Sequence, residues 1–575
     1  MTEIHQTQLF PPRTVAELVE DIEKLTKEIQ ELYCLDDVPW ILGYSGGKDS
    51  GTVVQLVWYA IAALPPEKRT KKIYVITTDT LVENPIISAW VRRSLERMEA
   101  AAKEQGLPIE PHLLYPEIKN TFWVSLIGKG YPAPRHGFRW CTERLKIHPS
   151  NRFVRDVVRV KGEVILVLGT RKAESAKRAA SMEKHEAGKV SDRLNHSSTS
   201  LKSLLYHNSS LPNSLIYSPI QDWRTDEVWI YLNQWQNPWG HSNKELFTLY
   251  RGATADSECP LVVDSSTPSC GDSRFGCWVC TLVNQDKSMA AMIQNDDEKE
   301  WMQPLLDIRN ELDVKDNRDK RDFRRIYGRV ELFERNVDGA ISVEPIPGPY
   351  TKESREYWLR QVLEAQTQVR RTAPPEMRDI TLITHEELSE IRRIWLEEKH
   401  EFDDSLPRIY EEVTGEPFQD SRPSAERKLL GSDEWTVLKE ICEDEMHLEL
   451  MARLLDTENQ FHAKSRRGIY ESLDKCFESS SRSRDEAIDN AHFQRNVKNT
   501  VKAVKDDTAE IHDLRQAFEK SDRVSEAVAT LGASELLREA ELPPKRSADR
   551  NEGKQLSWAS LKFSAKNSDE ENSDD

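Results

Sequence analysis

Long apolar runs are absent from this 575-residue chain. Nothing in it approaches the roughly 18 consecutive apolar residues that a membrane helix needs. The opening MTEIHQTQLFPPRT has neither the basic region nor the apolar stretch of a secretory signal. Cysteine is scarce too, with eight residues in all, which excludes a disulfide scaffold. These absences read against secreted and membrane proteins, and the expectation is a cytoplasmic protein in a reducing compartment.

Charge is abundant but uneven. The net charge is −18, yet residues 1–290 carry 35 basic and 34 acidic side chains, so the acidity belongs to the remainder. Residues 119–202 alone hold 18 basic and 7 acidic groups. An acidic protein binds nucleic acid poorly as a whole, but a local basic strip can hold a phosphate backbone. The same strip could equally be a solvated helical face.

Short apolar runs alternate with helical patterns. Residues 14–33 repeat apolar side chains at helical intervals. Strands are expected at 40–44, 72–77, 111–115, 163–168 and 214–218. Helices are expected near 50–63, 85–105, 146–160 and 225–236. This alternation implies βαβ units, hence an α/β fold with a parallel twisted sheet and helices on both faces. Residues 183–214, rich in Ser, Asn and His, read as a long exposed loop. The expected organisation is an N-terminal helix (1–34), an α/β domain (35–290) and a mixed connecting region (291–430). A mainly helical C-terminal region (431–542) and a disordered acidic tail (543–575) follow.

Ser45-Gly46-Gly47-Lys48-Asp49-Ser50 falls where the first strand should turn into a helix. Two glycines let the backbone approach an anion, and the helix N-terminus then offers unpaired N–H groups to phosphate. Lys48 could reach a phosphate, and Asp49 could help to hold Mg²⁺. The spacing is not the GxxxxGK[ST] of a P-loop ATPase. Asp79 ends the second strand, where ligands of open α/β sheets sit; it either touches the ligand or caps the strand. Cys259, Cys270, Cys277 and Cys280 lie within 22 residues. A Cys-x2-Cys pair with further Cys nearby is a metal-site pattern, suited to iron–sulfur or zinc.

The SGGKDS string resembles the PP-loop of the adenine-nucleotide α-hydrolase superfamily, which binds ATP and releases pyrophosphate. Gly169-Thr170-Arg171-Lys172-Ala173-Glu174-Ser175 is similar to the G-x-R-x-x-E-S segment of its phosphoadenylylsulfate reductase branch, and Pro219 to Trp223 resembles that branch's P-I-x-x-W segment. The resemblance implies ATP held by Ser45, Gly46, Gly47, Lys48, Asp49, Ser50, Asp79, Gly169, Arg171 and Glu174. Lys177 and Arg178 would face a substrate anion. The segment Arg139-Trp140-Cys141-Thr142 is similar to the place where cluster-bearing reductases carry tandem Cys, although Trp140 here replaces one of them. A [4Fe–4S] cluster on Cys141, Cys270, Cys277 and Cys280 is implied, with zinc as the alternative. Cys259 would be a substitute ligand or a persulfide carrier.

The reductases carry a mobile Cys in an E-C-G-x-H segment, and no such segment occurs here. The motif combination is instead similar to the DndC family, the sulfurtransferases of bacterial DNA phosphorothioation. That likeness implies catalytic roles for Lys48, Asp49, Arg171 and Cys259. It also implies DNA as acceptor, a cysteine desulfurase as sulfur donor, and other Dnd proteins as partners, with no membrane. An adenylylsulfate reductase or a tRNA thiolase is the enzymatic alternative, and a nucleotide-sensing scaffold the non-enzymatic one.

Overall fold

In the computed structural model, the described residues are 13–174, 179–180, 182, 201, 204–208, 211–253, 275–325, 329–337, 340–420, 432–442, 445–462, 467–480 and 483–505. Lys177, Arg178, Cys259, Cys270 and the expected tail at 543–575 fall outside them. The chain divides into two compact units. One comprises 1–316, 355–394 and 405–423, the other 317–354, 395–404 and 424–575.

The first unit is built on a six-stranded sheet in the order β3-β2-β1-β4-β6-β5. Its strands are β1 (Trp40–Gly43), β2 (Ile73–Thr78), β3 (Ile109–Leu114), β4 (Val164–Val167), β5 (Tyr206–His207) and β6 (Ser214–Tyr217). All neighbours are parallel except β5 and β6. The mostly parallel sheet expected from the alternating pattern is therefore present. Within the stretch read as one long loop, residues 206–207 add the short antiparallel edge strand, because Tyr206 and His207 find ladder partners in Ile216 and Leu215.

Side chains alternate between two covered faces, as a strand's period of two requires. Trp40, Leu42, Ile73, Val75, Ile165 and Val167 join the larger core. Ile41, Ile76, Val164 and Leu166 join a smaller one beneath Val154. Helices α1 (Val15–Cys34), α2 (Lys48–Ala62), α3 (Pro85–Glu104), α5 (Thr225–Gln234) and α6 (Asn243–Gly252) contribute to the larger core, and α4 (His148–Lys161) covers the smaller. Burial of both faces is why the strands read as apolar runs without polar alternation.

Helix α1 starts on a capping box between Thr14 and Glu17. Arg13, just before it, forks onto Glu227 of α5 with both bonds at 2.7 Å. The Trp residues of the P-I-x-x-W neighbourhood, Trp223 and Trp229, are core residues at 2% and 1% exposure. Further along come α7 (Lys287–Asn295), α8 (Gln303–Leu312), most of α9 (Lys352–Thr372), α10 (His385–Arg393) and α11 (Ser405–Thr414).

The second unit has an antiparallel hairpin of β7 (Leu332–Val337) and β8 (Ala340–Pro345). Helices α12 (Ser432–Ile441), α13 (Glu445–His462), α14 (Ile469–Ser480) and α15 (Arg484–Lys505) follow it. The helical C-terminal region expected from composition is present. Among the described residues no helix is long and apolar enough to cross a membrane.

Candidate active site

Strand order reverses between β1 and β4, whose neighbours run outward in opposite directions. Ligands of open α/β sheets bind beyond the strand C-termini at such a switch point. The two glycine-bearing segments follow these two adjacent strands, so chain separation does not keep them apart.

After β1, Tyr44 extends the sheet through its N–H to the Ile76 carbonyl at 2.9 Å. Gly46 then turns with φ +75°, and a Cβ there would lie 2.4 Å from Val91 Cγ2, so only glycine fits. Gly47 is the extended N-cap of α2 and gives no side-chain cap. The first turn of that helix therefore presents backbone donors to a ligand. Ser45 Oγ and Ser50 Oγ stand 3.1 Å apart beside it.

Lys48 is 8% exposed. Its Nζ lies 3.4 Å from Asp49 Oδ2 and 5.3 Å from the centroid of the Tyr250 ring. Burial lowers the Lys48 ammonium from its ordinary value, while Asp49 pulls the other way.

The segment after β4 packs directly onto this loop. A Cβ on Gly169 would stand 2.8 Å from the Asp49 carbonyl oxygen and 2.9 Å from the Ser50 nitrogen. Gly169 thus serves backbone approach within the protein. Arg171, 2% exposed, donates from Nε to Asp49 Oδ1 at 2.7 Å. It also donates from Nη1 to the Trp223 carbonyl at 3.1 Å and from Nη2 to Thr225 Oγ1 at 3.3 Å. Three of its donors are thus used within the protein, and the bond from Nε orients Asp49 on the loop. Glu174 turns back to accept the Arg171 N–H at 3.1 Å. Asp49 is engaged on both oxygens, by Arg171 and by Lys48, so a cation bound there would compete with them.

Asp79 does cap its strand end, accepting the Leu81 N–H at 2.9 Å. Its other oxygen meets Arg92 Nη2 at 3.0 Å. It also lines a cavity of about 690 Å³ together with Lys48, Asp49, Glu83, Lys146 and Arg171. That size suits a nucleotide-sized ligand.

The Cys-x2-Cys turn docks on the same wall. Cys277 bridges Glu83 in antiparallel fashion, the Trp278 N–H donates to the Val82 carbonyl at 2.9 Å, and the Asn84 N–H donates to Gly276 at 3.3 Å. Cys277 Sγ is 3.4 Å from Thr80 Oγ1 and 3.7 Å from Glu83 Oε1. Lys146 Nζ lies 3.2 Å from that same Glu83 oxygen. Burial, and then Glu83, push the Cys277 thiol up to about 12. The Lys146 ammonium is raised above its ordinary value, by Cys277 in its ionised form and by Glu83, against the effect of burial. Lys146 sits on a π-helical turn, Thr142–Ile147, directly after Cys141. Burial raises the Cys141 thiol, and Cys280 adds to the effect.

Cys141, Cys277 and Cys280 therefore share one neighbourhood. Among the described residues, however, no three His, Cys, Asp or Glu side chains are arranged to hold one metal ion. A metal site in this neighbourhood would need a further donor, and Cys259 and Cys270 lie outside the described residues. Sequence reasoning gave no role to Glu83, Lys146, Thr80 or Tyr250. Glu83 follows Asp79 by four residues and was within reach of a motif reading. Tyr250, 202 residues from Lys48, was not.

Residues 39–282 match the family model of the phosphoadenosine phosphosulfate reductase domain. An uncharacterized protein of Methanocaldococcus jannaschii is 25% identical over 204 residues, which cover 35% of this chain and 32% of that protein. The matched region is thus about a third of that relative's length. Residues 39–282, which hold the sheet and the glycine loop, are thus similar to a phosphoadenosine phosphosulfate reductase domain, a likeness that points to nucleotide-dependent, sulfur-related chemistry.

Proposed function

We propose that this chain is an ATP-dependent sulfurtransferase that adenylates a backbone phosphate oxygen of DNA and replaces it with sulfur. The observation that carries the reading is Glu83, which lines the phosphate-loop cavity and also touches Cys277 and Lys146. A phosphoryl group activated in the cavity and a sulfur at the Cys277 wall would stand one carboxylate apart. Exposed Arg155 and Arg159 on α4, whose Ser150 and Asn151 line the cavity, suit a phosphate backbone.

In this reading the first turn of α2, with Ser45 and Ser50, holds the triphosphate of ATP. A DNA phosphate oxygen attacks the α-phosphorus, its bond to pyrophosphate breaks, and pyrophosphate leaves. Lys48 stabilises charge on the transferring group. Arg171 keeps Asp49, and through it Lys48, in place. The terminal sulfur of a persulfide, supplied by a cysteine desulfurase, then attacks the DNA phosphorus. AMP leaves with the displaced oxygen, and a second thiol cleaves the remaining S–S bond to give a disulfide. A [4Fe–4S] cluster on Cys141, Cys270, Cys277 and Cys280 would supply iron that binds sulfide, and zinc there a Lewis acid; Mg²⁺ would neutralise phosphate charge. Cys259 remains the proposed sulfur carrier, and other Dnd proteins the proposed partners.

The matched family favours one second reading, reductive cleavage of a sulfonucleotide, which consumes thiols but no ATP. The test is mass spectrometry of nuclease-digested host DNA for phosphorothioate-linked dinucleotides, together with pyrophosphate release by the purified protein. Loss of the linkage on deletion, with rescue by the wild type but not by K48A or C277S, is the expected result. Persistence of the linkage in the deletion strain would sink the DNA reading, and sulfonucleotide turnover without ATP would establish the reductase.

A further inference from the structure

Arg309 lies on α8, beyond residue 282 where the family match ends. Its side chain is buried at 1% exposure. Nε donates to the Cys280 carbonyl at 3.0 Å. Nη1 donates to the Asn284 carbonyl and to Asn310 Oδ1, both at 3.1 Å. Nη2 donates to the Val283 carbonyl and pairs with Asp313 at 3.1 Å. All five guanidinium donors are thereby matched, and Asp313 balances the charge.

A buried guanidinium is unfavourable unless both its charge and its donors are met. Here three of its acceptors are main-chain carbonyls of one irregular turn. The same turn is tied at its other end, where Cys277 and Trp278 bond to the Val82–Asn84 segment, and the Cys280 N–H closes onto the Cys277 carbonyl at 3.0 Å. The Cys277–Cys280 pair is held between two grips, one on the Val82–Asn84 connection that follows β2 and one on Arg309.

We propose that Arg309 is a positioning residue for the Cys-x2-Cys pair. By fixing the carbonyls of Cys280, Val283 and Asn284 it sets where the Cys280 thiol stands relative to Cys277, and so the geometry of whatever the two thiols carry. The inference rests on the proposed function only in giving those thiols a chemical task. A fork is required because one ammonium cannot span three carbonyls, so lysine is no equivalent.

The test uses the metal-free full-length chain and the variants R309M, R309K and L305A. Leu305 is buried on the same helix and donates no side-chain hydrogen bond, so L305A controls for general loosening of α8. Site-resolved alkylation by iodoacetamide and the thiolate charge-transfer band of added Co²⁺ are the readouts. Cys280 alkylation in R309M should rise about tenfold, the equivalent of losing one or two buried hydrogen bonds. The Co²⁺ band should shift, exposed Cys34 should be unaffected, and R309K should fall between. If R309M does not fold, R309K against L305A decides alone. Equal acceleration in the arginine variants and in L305A at matched loss of Tm would overturn the proposal, as would unchanged Cys280 reactivity. Pyrophosphate release is followed separately: its absence in the wild type would remove the sulfurtransferase reading and leave the thiol result standing.

Discussion

Arg171 and Asp49 stand 122 residues apart and meet at 2.7 Å through Nε and Oδ1. The guanidinium is buried and the carboxylate partly open, so the phosphate loop takes its shape from a side chain on a different strand's loop. Removing Asp49 leaves a buried guanidinium uncompensated, whereas removing Arg171 leaves Asp49 its contact with Lys48.

R171M, which loses the bonds to Asp49, Trp223 and Thr225, should cost about 1–3 kcal/mol in stability and should weaken nucleotide binding. Adding D49N to R171M should restore part of the loss, with a coupling of about 1–3 kcal/mol in a double-mutant cycle. Denaturant melts and nucleotide titrations supply the four corners. An R171M protein with wild-type stability and binding but no turnover would put the guanidinium on the substrate instead.

Two glycines should respond oppositely to alanine. At Gly169 the new Cβ would meet the Asp49 carbonyl at 2.8 Å, whereas at Gly51, inside α2, it would meet nothing within 4 Å among the described residues. G169A is expected to lose about 1–3 kcal/mol and to distort the loop. G51A should gain about 0.5–1 kcal/mol from helix propensity. Paired thermal melts check both signs, and a destabilised G51A would contradict the open space beside it.

Tyr250 supports Lys48 in two ways, accepting its N–H at 3.4 Å and lying under its Nζ. Y250F keeps the ring and should cost about 0.5–1.5 kcal/mol of nucleotide affinity. Y250A removes both contacts and should cost more. Calorimetric titration ranks them, and equal effects would mean that the ring contributes nothing.

His241 makes the loop's surroundings sensitive to acid. It is 3% exposed, neither ring nitrogen has a hydrogen-bond partner among the described residues, and its ring lies tilted against Trp90 with centroids 3.7 Å apart. Trp90 in turn donates to the Gly46 carbonyl at 3.3 Å. Burial, then Arg97 and Arg93, push the imidazole down to about 4. The unfolded chain binds this proton near the ordinary value of about 6.5. Between those two values the unfolded state holds more protons, so stability falls as the pH drops through that window. H241F should flatten this part of the Tm–pH curve, and a curve of unchanged slope would exclude His241 as its source.

Local chemistry wrote much of this protein into its sequence. Apolar runs of strand length between helical repeats announced a parallel sheet, because burial on both faces removes polar alternation. Gly46 and Gly47 ahead of a helix marked the phosphate loop, since the turn and the helix N-terminus need only neighbouring residues. The spacing of Cys277 and Cys280 placed both thiols on one turn, since with two residues between them they are neighbours in the chain. What each polar group does there was decided by tertiary structure. Arg171 reads as a phosphate ligand in a motif, and the fold shows in addition that it ties Asp49, Trp223 and Thr225 together at the cavity wall. Asp79 is cap and cavity wall together. Glu83, Tyr250 and Arg309 carry no motif, and their roles appear only once the chain has brought distant donors and acceptors together. Periodicity and turn chemistry are properties of neighbouring residues, while hydrogen-bond partners across a sheet are properties of the folded chain.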